Sequence, residues 1–117
     1  MNTVNEYGKW LNKTKWDYFG TLTYKHKVSE RRNWTIMSGL SDNLKAYGLA
    51  FNMFWVHERY GHPHNHFLLK GSNITLVENY WKDKGHVNDF QKYDSSKGAS
   101  WYVCKYMKND NYNYIEV

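Results

Sequence analysis

The sequence predicts an α+β domain in which helices pack on a central antiparallel sheet, and three observations support this prediction. Residues 16–24 and 49–70 contain aromatic and β-branched stretches typical of strands. Between residues 29 and 48, apolar side chains recur three or four positions apart, which is the period of an amphipathic helix. The chain has 117 residues and no Pro- or Gly-rich linker, so we expect residues 1–117 to form one domain.

The N-terminal part of the chain predicts a helix, a strand and a second helix. Residues 1–13 have apolar side chains at helical spacing and predict a short helix or a docked arm. The strand within residues 16–24 places Thr21 and Thr23 on one face, because side chains alternate along a strand. Ser29 is a candidate N-cap for the next helix. The apolar positions expected on the buried face of that helix are Trp34, Met37, Leu40, Leu44 and Tyr47.

The middle of the chain predicts a hairpin, a short helix and a further strand. Gly61 and Pro63 mark a tight reversal, so we expect the strands on either side of it to pair antiparallel. Ser72 or Asn73 would cap the short helix. Its apolar positions are Leu76, Val77, Tyr80 and Trp81. Residues 85–93 predict another strand, and the resulting order βαββαβ is that of ferredoxin-like and RNA-recognition folds.

A last helix is predicted over residues 95–109. Its expected buried stripe is formed by Ala99, Val103 and Met107. Tyr102 and Tyr106 flank that stripe, at about 100° and roughly 60° from Val103 on a helical wheel, and Lys105 lies between them in the sequence. Two tyrosines at this spacing are usually ordinary boundary residues, so they indicate chemistry only if a metal site lies nearby.

The composition limits the class of protein. A formal net charge of +5 favours an anionic partner, and nucleic acid is the commonest one. Eleven tyrosines, six tryptophans and five phenylalanines offer stacking surfaces for unpaired bases. The single cysteine, Cys104, excludes an internal disulfide, and no apolar run reaches the length of a membrane span or a signal peptide. We therefore expect a cytoplasmic protein without a membrane partner.

The histidines of the hairpin predict a metal site. His64 and His66 point to the same face of an extended strand, about 6 to 7 Å apart. If the turn centres on Gly61, Glu58 lies opposite His64, whereas a two-residue turn would bring His57 opposite His66. A carboxylate beside two imidazoles suits a hard divalent ion, and three histidines would favour zinc. We favour Glu58 as the third ligand.

Three stretches, in this order, resemble the motifs of the HUH superfamily of single-strand endonucleases, particularly its rolling-circle replication initiators. They are Phe19-Gly-Thr-Leu-Thr-Tyr24, His64-Asn65-His66 with the apolar residues that follow it, and Tyr102-Val-Cys-Lys-Tyr106. The resemblance spans residues 16–109. Asn65 departs from the pattern, because the family usually has an apolar residue there. This residue faces away from the ligands, so the departure concerns packing more than metal binding.

The resemblance implies a metal-assisted tyrosine nuclease. The ligands of a Mg²⁺ or Mn²⁺ ion would be His64, His66 and Glu58. Attack by a tyrosine would leave a 5′-phosphotyrosine and a free 3′-hydroxyl, with Lys105 stabilising the phenolate. The Tyr-x-x-Lys spacing indicates Tyr102 as the nucleophile, whereas the wheel geometry favours Tyr106, which we slightly prefer. Candidate DNA contacts are Thr21, Thr23, Tyr24, Lys25, Lys27 and Lys108.

The compact chain is also similar to small replication initiators of archaeal rod-shaped viruses, which implies a homodimer that nicks genome termini and depends on a separate helicase and polymerase.

Three alternatives stay open. A single-strand binding module would share this composition and need no metal. A small tyrosine transposase usually has Gln four residues after its tyrosine, where this chain has Tyr106 or Asp110. A structural zinc site would need His57 or His62, because Cys104 is the only cysteine.

Overall fold

Five strands and three helices make up the described part of the chain. The structure, a computed structural model, describes residues 3–48, 50–58, 63–71, 74–92, 98, 104, 107 and 111–116, with the backbone alone at 3–5 and 88–91. The elements are α1 (Thr3–Asn12), β1 (Tyr18–Tyr24), α2 (Glu30–Ala46), β2 (Asn52–Glu58), β3 (His64–Lys70), α3 (Ile74–Trp81), β4 (Gly85–Lys92) and β5 (Tyr112–Glu116). Within the described ranges, no helix combines the length and apolar character needed to cross a membrane.

The strands form one antiparallel sheet in the order β4-β1-β3-β2-β5. The predicted α+β class is confirmed, and the predicted βαββαβ order describes the chain from β1 to β4. The edge strand β5 is an addition that the sequence pattern does not predict. Its sequence, Tyr-Asn-Tyr-Ile-Glu, is only five residues long and lacks a regular alternation of apolar and polar residues, so its signal is weak.

Side chains alternate along each strand, so the sheet presents side chains on two faces. Helices pack on both of them. The larger apolar core lies between the sheet and the helices α2 and α3, and includes Leu22, Met37, Leu40, Met53, Trp55, Phe67, Val77 and Trp81. The opposite face carries a smaller cluster, formed by Leu11, Trp16, Phe54, Val56, Leu68 and Cys104. We call this second surface the α1 face, because α1 contributes Leu11 to it.

Helix α2 begins as predicted, and Met37, Leu40 and Leu44 of its predicted apolar face are buried. The Ser29 hydroxyl accepts a hydrogen bond from the Arg32 N–H at 3.0 Å and caps the helix. Trp34 and Tyr47, predicted to point inward, are 41% and 62% exposed. Asn33 is buried instead. Apolar periodicity cannot reveal a buried polar residue such as Asn33. Trp34 lies at the edge of the packed face, where its ring contacts Trp55 with centroids 5.3 Å apart.

The predicted C-terminal helix falls largely outside the described residues. Cys104 is helical there and fully buried, and Met107 packs against the same cluster on the α1 face. Met107 therefore lies where the predicted stripe places it, whereas Cys104 is an inward position that the stripe does not include. The other residues of that prediction lie outside the described ranges: Ala99, Tyr102, Val103, Lys105, Tyr106 and Lys108.

Candidate functional site

The predicted ligands lie on the α1 face, where paired residues form three rows across the strands. Directly opposite residues of an antiparallel pair share a face. The first row is apolar and contains Phe19, Leu68, Phe54 and Tyr114. The second is mixed and contains Thr21, His66, Val56 and Tyr112. The third is polar and contains His86, Thr23, His64 and Glu58. The register predicted for a turn centred on Gly61, with Glu58 opposite His64, is thus confirmed.

The side chains of Glu58, His64 and His66 converge on one point. The Nε2 atoms of the two histidines lie 3.1 Å apart. Glu58 Oε2 lies 2.8 Å from His64 Nε2 and 3.2 Å from His66 Nε2. Three ligands on one side of an octahedral ion, each about 2.1 Å from it, would be separated by about 3.0 Å. These residues could therefore hold a hard divalent ion and leave its other positions open. We call this group the carboxylate–histidine cluster.

Thr21 of β1 supports the cluster from the neighbouring strand. Its Oγ1 lies 3.5 Å from Nδ1 of His66. A proton on Nδ1 that points to this hydroxyl leaves the Nε2 lone pair free to bind a metal. Thr21 is itself buried, so its position fits a supporting role behind His66 and does not fit the direct DNA contact predicted from the sequence. Thr23, beside His64 in the third row, is half-buried.

His57, the alternative third ligand, lies on the opposite face of the sheet. It pairs with Asn65 in the hairpin register, and its Nδ1 contacts Oε1 of Glu30 in α2. The side chain of His57 is completely buried. The residue that the hairpin brings to the histidine pair is therefore Glu58, whose role as a metal ligand stays a prediction.

A buried polar network anchors β3 to α2 directly behind the two histidines. Asn65 donates to Asn33 Oδ1 at 2.7 Å, and Asn33 donates back to Asn65 Oδ1 at 3.1 Å. The Tyr24 hydroxyl also donates to Asn33 Oδ1, at 2.6 Å. Buried amides are stable only when their hydrogen bonds are made, and a satisfied network holds its strands in one arrangement. The polar residue between the two histidines thus connects β3 to the helix layer.

The position of Tyr24 does not fit the direct DNA contact predicted from the sequence. Thr23 points to the α1 face, so strand alternation turns Tyr24 to the other face, where it is buried beneath α2. Burial raises the pKa of the Tyr24 phenol well above its ordinary value. This phenol therefore stays protonated at neutral pH.

Two groups of contacts attach the C-terminal segment to β2. Cys104 belongs to the buried cluster that contains Val56, and the Met107 N–H donates to the Cys104 carbonyl at 3.0 Å. Further along, the Asn111 side chain donates to the His57 carbonyl at 3.0 Å, and the His57 N–H donates to the Asn111 carbonyl at 2.7 Å. Asn111 therefore lies beside the strand that carries Glu58, and Cys104 packs in the apolar cluster on the α1 face.

Cys104 provides a direct test of this attachment. Burial raises the pKa of its thiol to about 12. Because only the thiolate reacts with alkylating reagents and this side chain is buried, the native protein should be labelled at pH 8 far more slowly than the urea-unfolded protein. Mass spectrometry of iodoacetamide-treated samples would measure this ratio. Equal labelling of the native and unfolded protein would show that the segment is not packed on the α1 face.

Exposed cations border the end of the sheet where His64 lies. Lys25 and Lys27 are exposed in the loop after β1, and Arg31 and Arg32 are exposed in the first turn of α2. The Lys25 N–H donates to the Lys84 carbonyl at 2.9 Å, which holds the start of this loop beside β4. This positive charge complements a phosphate backbone. The predicted DNA contacts Lys25 and Lys27 are thus accessible, whereas Lys108 lies outside the described residues.

The chain is similar to a known protein family over most of its length. The family model described as replication-associated protein, of the ORF2 type, matches residues 17–111. The matched range contains the whole carboxylate–histidine cluster, the buried network behind it, and Tyr102 and Tyr106. No curated protein and no solved structure matches the chain.

Proposed function

Because the chain belongs to the ORF2-type family of replication-associated proteins, whose role is in the initiation of replication, we propose that it nicks single-stranded DNA and becomes covalently attached to it. The reaction is the HUH-type strand transfer at a replication origin or a genome terminus. One observation carries the proposal. Glu58, His64 and His66 converge on the same face of the sheet that receives the C-terminal segment.

We assign the carboxylate–histidine cluster as the binding site for Mg²⁺ or Mn²⁺. Two imidazoles and a carboxylate are suitable donors, and separations of 2.8–3.2 Å are close to those expected around an octahedral ion. When bound, this ion supplies positive charge that polarises a non-bridging oxygen of the scissile phosphate. Thr21 orients the His66 ring, and the Asn33–Asn65 pair holds β3 in place from the opposite face.

A tyrosine of the C-terminal segment acts as the nucleophile in this proposal, with Tyr106 preferred and Tyr102 as the alternative. Each is two residues from Cys104, and two residues span at most about 7 Å. Cys104 belongs to the cluster that contains Val56, the residue opposite His66. Cys104 packs on the face of the sheet that also carries the carboxylate–histidine cluster, and on this basis we propose that one of the two phenols attacks a phosphate bound there.

The chemical step exchanges one phosphate ester for another. The phenolic oxygen forms a bond to phosphorus, and the bond from phosphorus to the 3′-oxygen breaks. The phenol loses its proton to solvent, and the departing 3′-oxygen takes up a proton to become a hydroxyl. Lys105 favours the phenolate, whose ordinary pKa is about 10. The 5′-phosphotyrosine keeps an ester bond, so the reverse reaction can rejoin strands.

The exposed cations around the third row would bind phosphates on either side of the scissile bond. Lys25 and Lys27 lie beside Thr23 and the His64 end of the sheet, and Lys108 would act from the C-terminal segment. We also propose that a separate helicase and polymerase act together with this domain. If two nicks are required, a second copy of the chain would make the second one.

Covalent capture of DNA tests the proposal. Incubation with single-stranded fragments that tile the protein's own replicon, in Mn²⁺, should yield a protein–DNA adduct that survives denaturing gel electrophoresis. EDTA should prevent adduct formation while leaving the protein folded by circular dichroism. A single-strand binding module would retain the DNA under native conditions and give no adduct with any fragment. That outcome would contradict the nuclease proposal.

A further inference from the structure

A cluster of aromatic rings lies on the α1 face between α1 and β5. Trp10 contacts Tyr114 with ring centroids 4.6 Å apart and Tyr7 with centroids 5.9 Å apart, and Tyr7 contacts Tyr112 at 5.8 Å. Trp10 is 44% exposed, although tryptophan is usually largely buried. We call Tyr7, Trp10, Tyr112 and Tyr114 the aromatic platform.

The aromatic platform is continuous with the candidate site. Tyr112 lies directly opposite Val56 of β2, and Val56 lies directly opposite His66 of β3. Neighbouring strands are about 4.8 Å apart, so Tyr112 is roughly 10 Å from His66 across the sheet. The platform and the carboxylate–histidine cluster therefore lie on the same face of the sheet, close enough for one single strand of nucleic acid to contact both.

The shape and charge of the platform favour a base over a phosphate. A cleft of about 280 Å³ is lined by Glu6, Tyr7 and Trp10. Its aromatic walls suit a flat ring, and the Glu6 carboxylate repels phosphate while it can accept a hydrogen bond from an N–H group of a base. The exposed side chains of Lys9, Lys13 and Lys15, on α1 and the loop after it, are available for the backbone.

We propose that the aromatic platform stacks an unpaired base of the single-stranded DNA that binds at the carboxylate–histidine cluster. This inference rests on the proposed function for the identity of the strand, but not on the cleavage chemistry. Stacking on aromatic rings is tolerant of sequence, because every base has a flat face. The platform therefore adds affinity and holds the strand in position, while recognition of the origin sequence falls to other contacts.

Binding of labelled oligothymidylate and of its abasic counterpart, both in EDTA, tests the proposal. Trp10→Ala should weaken oligothymidylate binding by about 5- to 150-fold, the range for loss of one stacked base, and reduce the preference over the abasic strand. Trp34→Ala is the matched control, because Trp34 is 41% exposed on α2, at the opposite face. It should change both affinities by less than about twofold, as expected for a surface substitution.

Further readouts separate stacking from a loss of structure. Trp10→Phe keeps an aromatic ring against Tyr114 and should retain an intermediate preference for bases over abasic sites. Trp10→Ala should leave the salt dependence of binding unchanged, because stacking releases no counterions. Equal losses for the two oligonucleotides, or equal effects of Trp10→Ala and Trp34→Ala, would overturn the inference. The binding measurements are made without a divalent ion, so their outcome does not depend on whether the adduct assay succeeds.

Discussion

A His64→Ala variant is expected to form no detectable DNA adduct in Mn²⁺ while it remains folded. His64 supplies an Nε2 that lies 2.8 Å from Glu58 and 3.1 Å from the Nε2 of His66, so its loss opens the cluster on one side. Substitution of groups that merely support metal ligands often lowers metal affinity or activity 10- to 100-fold, so loss of a ligand should cost at least about 100-fold. The adduct yield on a denaturing gel measures the effect.

His86→Ala is the matched control for this experiment. His86 occupies the same row of the sheet as His64, but it lies two strands away on β4 and is exposed. Its substitution should change the adduct yield by no more than about twofold, as expected for a surface position. An adduct yield for His64→Ala that matches that of His86→Ala would show that His64 is not needed for the reaction.

Glu58→Ala should raise the Mn²⁺ concentration needed for half-maximal cleavage by at least about 100-fold, whereas His57→Ala should leave it nearly unchanged. The two residues are neighbours in β2, and strand alternation sends Glu58 to the histidine pair and His57 to Glu30 of α2. Loss of free Mn²⁺ signal by electron paramagnetic resonance would report binding without reliance on activity.

His57→Ala should instead reduce stability. It removes a buried contact to Glu30 and should lower the free energy of unfolding by about 1–3 kcal/mol, measured by urea denaturation. Glu58→Ala, at a partly exposed position, should lower it less. The reverse ranking in Mn²⁺ affinity would mean that the third ligand comes from the other face of the hairpin.

The hairpin is the part of the site that the sequence predicts best. Side-chain alternation has a strict period of two, and Gly61 and Pro63 locate the reversal, so the sequence restricts the hairpin to two registers. The preferred one, with Glu58 opposite His64, is the register that the structure has. The same alternation places Thr21 and Thr23 on one face of β1. Local geometry of this kind depends on the backbone and needs no knowledge of distant contacts.

The features that the sequence does not predict all depend on contacts between distant residues. Apolar periodicity gives no information about polar residues such as Asn33 and Tyr24. Both are nevertheless buried, and hydrogen bonds among Tyr24, Asn33 and Asn65 satisfy their polar groups. The support that Thr21 gives to His66 appears only when β1 is placed beside β3. The aromatic platform likewise requires that β5 pair with β2 and lie next to α1.

The identity of the residue bound to DNA is the most direct test of a tyrosine acting at the carboxylate–histidine cluster. Protease digestion of the adduct, followed by mass spectrometry of the nucleotide-linked peptide, should locate the DNA on Tyr106 or on Tyr102. The double variant Tyr102→Phe/Tyr106→Phe should give no adduct, although it should still bind single-stranded DNA in EDTA. An adduct that persists in this variant, or DNA attached to a peptide that lacks both tyrosines, would contradict the assignment.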